Sequence, residues 1–80
     1  MIKILLSKKL GELRITQSQL AKATGIRAST INDYYNELTD RVNIVYLDRI
    51  CEALDCNLEE IIVRVPNKSP EVNAIKRKTR

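Results

Sequence analysis

The segment Thr16–Asn36, with the sequence TQSQLAKATGIRASTINDYYN, restricts the fold of this chain more than any other feature. It consists of two short stretches of helical periodicity on either side of Gly25. A helix that ends in the left-handed conformation favours glycine, because a Cβ atom there clashes with the backbone. Thr16 followed three residues later by Gln19 is the pattern of a capping box at a helix start. The segment therefore predicts a helix-turn-helix.

The apolar residues of this segment have the spacing that two crossing helices need. The predicted inward positions are Leu20, Ile26, Ile31 and Tyr34. Ala21 lies where the second helix of the motif crosses the first, and a larger side chain there would push the two helices apart. We therefore expect the motif to pack as one unit, with its polar residues outside.

The chain has 80 residues and a net charge of +4, and this charge is unevenly distributed. Residues 1–65 contain nine basic and nine acidic residues, whereas residues 66–80 contain five basic residues and one acidic residue. We therefore expect a neutral folded domain over 1–65 and a flexible basic tail over 66–80, joined by the linker sequence PNKSP. A domain of this size holds one modest core and no large catalytic cleft.

The residue types argue against an enzyme or a metal site. The chain contains no histidine, and no nucleophile and base occur in a recognisable pattern. Cys51 and Cys56 are too far apart for a CxxC motif, so we expect neither a metal nor another cofactor. Cys51 shares a helix face with apolar residues, which predicts a small buried side chain. A disulfide is not expected in the cytoplasm.

The sequence shows neither a signal peptide nor a membrane span. The apolar run Ile4–Leu6 is far too short to cross a bilayer, and lysines flank it. We therefore expect a cytoplasmic protein that contacts no membrane. No small-molecule ligand is predicted.

Helical periodicity predicts five helices in the folded part. They run from about Ile4 to Leu13, from Gln17 to Thr24, from Ala28 to Asn36, from Ile44 to Leu54, and over a short stretch capped by Asn57. Asn43 is a good N-cap for the fourth helix. An alternative concerns the two ends of the domain: Ile2–Leu6 is also compatible with a short strand, and the β-branched run Ile61–Val65 is a possible partner.

Several of these motifs together resemble the lambda-repressor-like, Cro/C1-type (XRE) helix-turn-helix regulators. The resemblance extends from Ile4 to about Val63 and rests on TQSQLAKATGI, on STI at the start of the third helix, on Asn36 at its end, and on LDRICEALDCNLEEII. It implies a compact all-α fold of five helices. It also implies a homodimer that binds double-stranded DNA at an inverted repeat and regulates transcription, as a repressor in our interpretation.

A recognition helix in the major groove presents its first turns to base edges. The predicted base contacts are Arg27, Ala28, Ser29, Asn32 and Asp33. Arg27 suits guanine or a phosphate, and Asn32 suits adenine. Asp33 suits cytosine, although its charge also repels phosphate. The alternative for all five residues is an ordinary solvated helix face.

Other residues are predicted to contact phosphates. Gln17 matches a phosphate-binding position of the family at the positive end of a helix, and Asn36 and Arg41 flank the far side. The alternative for Arg41 is a surface salt bridge to Asp40 or Glu37. Possible contacts of the tail with the DNA backbone are Lys76, Arg77, Lys78 and Arg80. A simple solvated terminus is equally compatible with the tail sequence.

Some positions differ from the family pattern. Glu37 stands where a glycine commonly follows Asn36, and residues 16–43 carry no net charge, which predicts weak DNA binding by the motif alone. A second hypothesis is therefore a protein-interaction module, such as an antitoxin or an accessory subunit, that uses the helix-turn-helix as a scaffold. Dimerisation and burial within one chain both explain the apolar end of the domain, namely Leu58, Ile61, Ile62, Val63 and Val65.

Overall fold

The computed structural model of the chain describes residues 1–67. Its elements, in chain order, are β1 (Ile2–Ile4), α1 (Leu6–Leu13), α2 (Gln17–Thr24), α3 (Ala28–Tyr35), α4 (Ile44–Leu54), a 3₁₀ turn (Leu58–Glu60) and β2 (Ile62–Arg64). The predicted bounds of the second and fourth helices are confirmed, and the third helix ends one residue earlier than predicted.

The prediction of an all-α fold with five helices needs correction at both ends of the domain. Strands β1 and β2 form an antiparallel two-stranded sheet in which Ile4 pairs with Ile62, so the strand alternative is confirmed. The first helix begins at Leu6 rather than Ile4 because the preceding residues pair with β2, and the Leu5 amide donates to the Ile61 carbonyl at 2.7 Å. In place of a fifth helix, the chain makes a single 3₁₀ turn.

One hydrophobic core connects these elements. The buried residues are Ile4, Leu6, Leu10, Leu20, Ile26, Ile31, Tyr34, Leu47, Ile50, Leu54 and Ile61. All four predicted inward positions of the helix-turn-helix are among them, and Ala21 is half-buried as α2 packs against α3 and α4. The core therefore fixes α3 in place from one side only, which leaves its other side exposed.

Helix α2 begins and ends as predicted. The Thr16 hydroxyl accepts from the Gln19 amide at 3.1 Å, and the Gln19 side chain accepts from the Thr16 amide at 2.9 Å, which completes the capping box. Gly25 has a φ of 75°, and its amide donates to the Ala21 carbonyl at 2.9 Å. A single bond of this kind is the left-handed end that glycine favours.

The other three helices end at left-handed residues that are not glycine, namely Arg14, Glu37 and Asp55. The C-terminal end of α3 is representative: the Glu37 amide donates to the Tyr34 carbonyl at 3.3 Å, and the Leu38 amide donates to the Asp33 carbonyl at 2.8 Å. These two bonds form a Schellman motif, which satisfies carbonyls that would lack partners at the helix end.

Cys51 and Cys56 are free and half-buried against the core. Burial raises the pKa of both thiols. Within residues 1–67, no three His, Cys, Asp or Glu side chains are grouped so that they would hold a metal ion. No helix in this part of the chain is long and apolar enough to cross a membrane.

Candidate nucleic-acid interface

The turn between α2 and α3 depends on a buried hydroxyl that the sequence analysis missed. Thr24 donates to the Leu20 carbonyl at 2.8 Å and accepts from the Ile26 amide at 3.2 Å. One side chain thus joins the last turn of α2 to the residue that anchors the start of α3. A threonine immediately before the glycine was the available signal, since Thr hydroxyls often bond to the carbonyl four residues earlier.

Helix α3 has one buried face and one exposed polar face. Ile31 and Tyr34 are 0% and 4% exposed, whereas every predicted base-contact residue is exposed. The exposed residues on α3 and its flanks are Arg27, Ala28, Ser29, Asn32, Asp33 and Asn36. The fold therefore places the predicted recognition residues together on one accessible surface.

The N-terminal end of α3 has no side-chain cap. Arg27 occupies the N-cap position without a capping hydrogen bond, whereas Thr16 and Asn43 cap α2 and α4 with side-chain oxygens. The partial positive charge at a helix start attracts anions when its amides are not occupied by a cap. Arg27 adds a full positive charge at this end, and within residues 1–67 it forms no salt bridge.

Two of the predicted contact residues bond to each other. The side-chain amide nitrogen of Asn36 donates to the backbone carbonyl of Asn32 at 3.1 Å and to its side-chain oxygen Oδ1 at 2.9 Å. The amide nitrogen carries two N–H groups, and these two acceptors can occupy both of them. A phosphate contact by Asn36 would therefore compete with the contact to Asn32.

The loop after α3 is held by a side chain of α3 itself. The hydroxyl of the buried Tyr34 accepts from the Asn43 amide at 2.9 Å, and the Asn43 side chain caps α4 by accepting from the Val45 amide at 2.8 Å. Between them, the Thr39 hydroxyl bonds to both the amide and the carbonyl of Arg41. The hydroxyl of Tyr34 thus links the buried face of α3 to the N-cap of α4.

Arg41 and Gln17, two of the predicted phosphate contacts, differ in exposure. Arg41 is exposed and, among the described residues, forms no salt bridge, so the predicted alternative of a bond to Asp40 or Glu37 is wrong. Gln17 is the half-buried first residue of α2. The tail residues Lys76, Arg77, Lys78 and Arg80 lie outside the described residues.

The charges are unequally shared among the elements. Residues 16–43 carry three basic and three acidic residues, and one of the acidic ones, Glu37, accepts a hydrogen bond from the Ile4 amide of β1 at 3.1 Å. Residues 44–61 carry five acidic residues against one basic residue. Asp33 is the one acidic side chain on α3. Negative charge is thus concentrated outside the recognition helix.

The apolar end of the domain is partly core and partly surface. Ile61, one of the residues of the candidate dimer surface, is only 2% exposed and therefore belongs to the core of the single chain. Leu58, by contrast, is 47% exposed. Leu58 borders an apolar groove of about 500 Å³ between α4 and the 3₁₀ turn. Ile44 and the two cysteines also border this groove.

A glycine-ended helix, a buried threonine in the turn and a second helix with an exposed polar face define a helix-turn-helix DNA-binding domain. The chain belongs to the family of Cro/C1-type HTH DNA-binding domains, whose family model matches residues 5–67. The predicted family is thereby confirmed, and DNA is the partner that this family implies. No curated protein matches the chain.

Proposed function

We propose that this protein is a transcriptional repressor that recognises a specific DNA sequence by placing α3 in the major groove. The observation that carries the proposal is the exposed polar face of α3, which starts at a helix end without a side-chain cap, beside Arg27, which forms no salt bridge with any residue of 1–67. A protein bound across a promoter blocks transcription by occupancy alone. Activation would require an additional contact with the polymerase.

Each residue on this surface has a proposed part in recognition. Arg27 bonds to guanine or to a phosphate, Asn32 bonds to adenine, and Ser29 bonds to a base or to the backbone. Ala28 makes an apolar contact such as that with a thymine methyl group, and Asp33 selects cytosine. Gln17 and Arg41 bond to phosphates, since Gln17 is the first residue of α2, at the positive end of that helix, and Arg41 is exposed and forms no salt bridge with a described residue.

Affinity is proposed to come largely from outside the motif. Phosphate neutralisation dominates non-specific affinity, and residues 16–43 have no net charge. Residues 66–80 carry the entire excess of +4. We therefore propose that Lys76, Arg77, Lys78 and Arg80 contact the DNA backbone, and that two copies of the chain bind an inverted repeat together.

The test begins with selection of bound sequences from a pool of random duplexes by the full-length protein. Fluorescence anisotropy then measures affinity for the selected duplex and for unrelated duplexes at two salt concentrations. We expect the selected sequence to bind at least about a thousandfold more tightly than an unrelated duplex. Failure to select any sequence would contradict the proposed function.

The tail is tested in the full chain by replacing its four basic residues Lys76, Arg77, Lys78 and Arg80 with glutamine. For each phosphate that the protein no longer neutralises, the slope of log affinity against log salt becomes shallower by about 0.9. We expect a smaller slope with an unchanged sequence preference. An unchanged slope would mean that the tail is a solvated terminus.

A second candidate function has support from one observation. The groove between α4 and the 3₁₀ turn is apolar, and Ile44 beside it is 80% exposed, within a segment rich in acidic residues. These features suit a protein-interaction module that uses the helix-turn-helix as a scaffold. Charge substitution at Ile44 distinguishes the two functions: Ile44→Glu would abolish a partner complex but leave the sequence preference on DNA unchanged.

A further inference from the structure

We infer that Asn36 is a positioning residue, which holds the side-chain amide of Asn32 in the orientation that reads adenine. The inference rests on the proposed function, because it concerns how α3 recognises a base. It gives Asn36 a part in specificity instead of the phosphate contact that the family resemblance implies. It also assigns adenine to one position of the DNA site.

The side-chain amide of Asn36 makes two hydrogen bonds to Asn32. Its nitrogen lies 3.1 Å from the backbone carbonyl oxygen of Asn32 and 2.9 Å from Oδ1 of the same residue. A donor that reaches both oxygens must lie on the side of Oδ1 that faces the helix backbone. Oδ1 accepts with two lone pairs, so the bond from Asn36 leaves one of them free for another donor.

The free groups of Asn32 match one base edge. In the major groove adenine presents the N7 acceptor beside the N6 amino donor, and an asparagine bonds to both when Oδ1 accepts and Nδ2 donates. The contact with Asn36 leaves these two groups available on the exposed side of α3. The held amide is therefore complementary to adenine without further rearrangement.

The contact also excludes the opposite orientation of the amide. The terminal torsion of an asparagine side chain is broad and roughly two-fold, so an unrestrained amide readily adopts the flipped orientation. The flipped amide would direct its N–H groups at the Asn36 donor and could not accept its hydrogen bond. Asn36 therefore reduces the entropy that Asn32 loses when it binds a base.

The experiment uses the full-length protein and the selected duplex, with every base pair changed in turn. Anisotropy titrations compare the wild type with Asn32→Ala, Asn36→Ala, Asn36→Asp and the Asn32→Ala/Asn36→Ala double variant. Arg41→Ala is the matched control, since it removes a proposed phosphate contact next to α3 and leaves the asparagine pair intact. Circular dichroism at the titration temperature establishes that each variant is folded.

We expect the wild type to prefer adenine at one position by about 5- to 150-fold, the range for a bidentate contact. Asn32→Ala removes this preference, and Asn36→Ala and Asn36→Asp each reduce it by about two- to tenfold at that position alone. The double variant is no less selective there than Asn32→Ala. Arg41→Ala weakens binding to all duplexes by a similar factor.

Two results would overturn the inference while leaving the proposed function intact. One is an equal loss of affinity for all duplexes in Asn36→Ala, which is the behaviour of a phosphate contact. The other is an Asn32→Ala variant that keeps every base preference while Arg27→Ala loses one. Absence of sequence preference in the wild type would instead contradict the proposed function itself.

Discussion

At the scale of single residues, Glu37 shows how a side chain stabilises a backbone conformation that glycine usually occupies. Its φ of 54° lies in the left-handed region, which costs a residue with a Cβ atom about 1–2 kcal/mol. Its carboxylate accepts from the Ile4 amide at 3.1 Å. A hydrogen bond to a charged group contributes about 1.5–3 kcal/mol at most sites. The bond therefore offsets the backbone cost and covers the free edge of β1.

Glu37 variants separate the hydrogen bond from the backbone cost. We expect Glu37→Ala to lower the free energy of unfolding by about 1–2 kcal/mol, because it keeps the left-handed backbone and removes the bond. Glu37→Gly removes both terms and should be less destabilised. Glu37→Gln keeps an acceptor without the charge and is the control, which should lose about 1 kcal/mol at most and less than the alanine variant. Urea unfolding measures the series, and equal stability of the alanine and glutamine variants would contradict this account.

Thr24 provides a second test at this scale. Thr24→Val keeps the shape of the side chain but leaves the Ile26 amide without its partner in a buried place. We expect a loss of about 1–3 kcal/mol in the free energy of unfolding. Thr24→Ser keeps the hydroxyl, and its loss should be near that of one methyl group, about 0.8 kcal/mol. A valine variant as stable as the wild type would show that the turn does not need this bond.

At the scale of elements, helix α1 and the 3₁₀ turn are joined by an ion pair between Lys9 and Glu60. The carboxylate of Glu60 accepts from the Asn57 amide at 2.9 Å and from the Lys9 ammonium group. The backbone amide of Asn57, and then Lys9, hold the pKa of Glu60 below its ordinary value. The hydrogen bond to Glu60 in turn raises the pKa of Lys9.

These shifts predict how stability depends on pH. A carboxyl whose pKa is lowered in the folded state stabilises the fold above the pKa of the unfolded chain, and this contribution disappears as the pH falls through the folded pKa. We expect acidification to reduce the free energy of unfolding less in Glu60→Gln than in the wild type. Glu59→Gln, a neighbouring exposed carboxylate, is the matched control and should behave as the wild type. Urea unfolding between neutral and acidic pH tests this, and identical pH profiles for all three proteins would contradict it.

The sequence predicted the elements whose ends have strong local signals. Helices α2 and α4 have the predicted bounds, because the capping residues Thr16, Gly25 and Asn43 bond only to residues about one helical turn away. The start of α1 was misplaced because β1 exists only through its pairing with β2, far along the chain. The ends of α1 and α4 have no glycine to mark them in the sequence. Their left-handed residues, Arg14 and Asp55, adopt this conformation because of the surrounding fold.

The candidate site was predictable in its outline and not in its internal contacts. Helical periodicity alone placed Ile31 and Tyr34 inward and the recognition residues outward, which the structure confirms. The bond between Asn36 and Asn32, and that between Tyr34 and Asn43, depend on side-chain orientations that a sequence pattern does not specify. The hydrogen bonds of the Thr24 hydroxyl, at the turn between α2 and α3, also depend on a side-chain orientation that the sequence pattern does not specify.

At the scale of the whole molecule, the two charge signs occupy different parts of the chain. Residues 1–15 carry four basic residues and one acidic residue, whereas residues 44–61 carry five acidic residues and one basic residue. A charge distribution of this kind orients a protein in the field of DNA before contact. It favours an approach in which residues 44–61 are directed away from the phosphates.

The proposed binding by two copies of the chain predicts the form of the DNA site. Dimers of helix-turn-helix proteins contact half-sites about 10 base pairs apart, one turn of the double helix. We expect hydroxyl-radical footprinting of the selected duplex to show two related protected segments on one face of the DNA. Moving one half-site by about 5 base pairs turns it to the opposite face and should reduce affinity strongly. Equal affinity for an isolated half-site would contradict binding as a dimer.

The small sheet has a consequence for the order in which the domain folds. Ile2 pairs with Arg64, so β1 and β2 meet only after nearly the whole domain has been synthesised, whereas the turn at Gly25 needs only nearby residues. Closing so long a loop is slow compared with forming a helix. During translation, the helix-turn-helix can therefore take shape while β1 still lacks its partner. Until Arg64 emerges from the ribosome, the backbone N–H and C=O groups of residues 2–4 lack their partners in β2 and are free to bond to other chains.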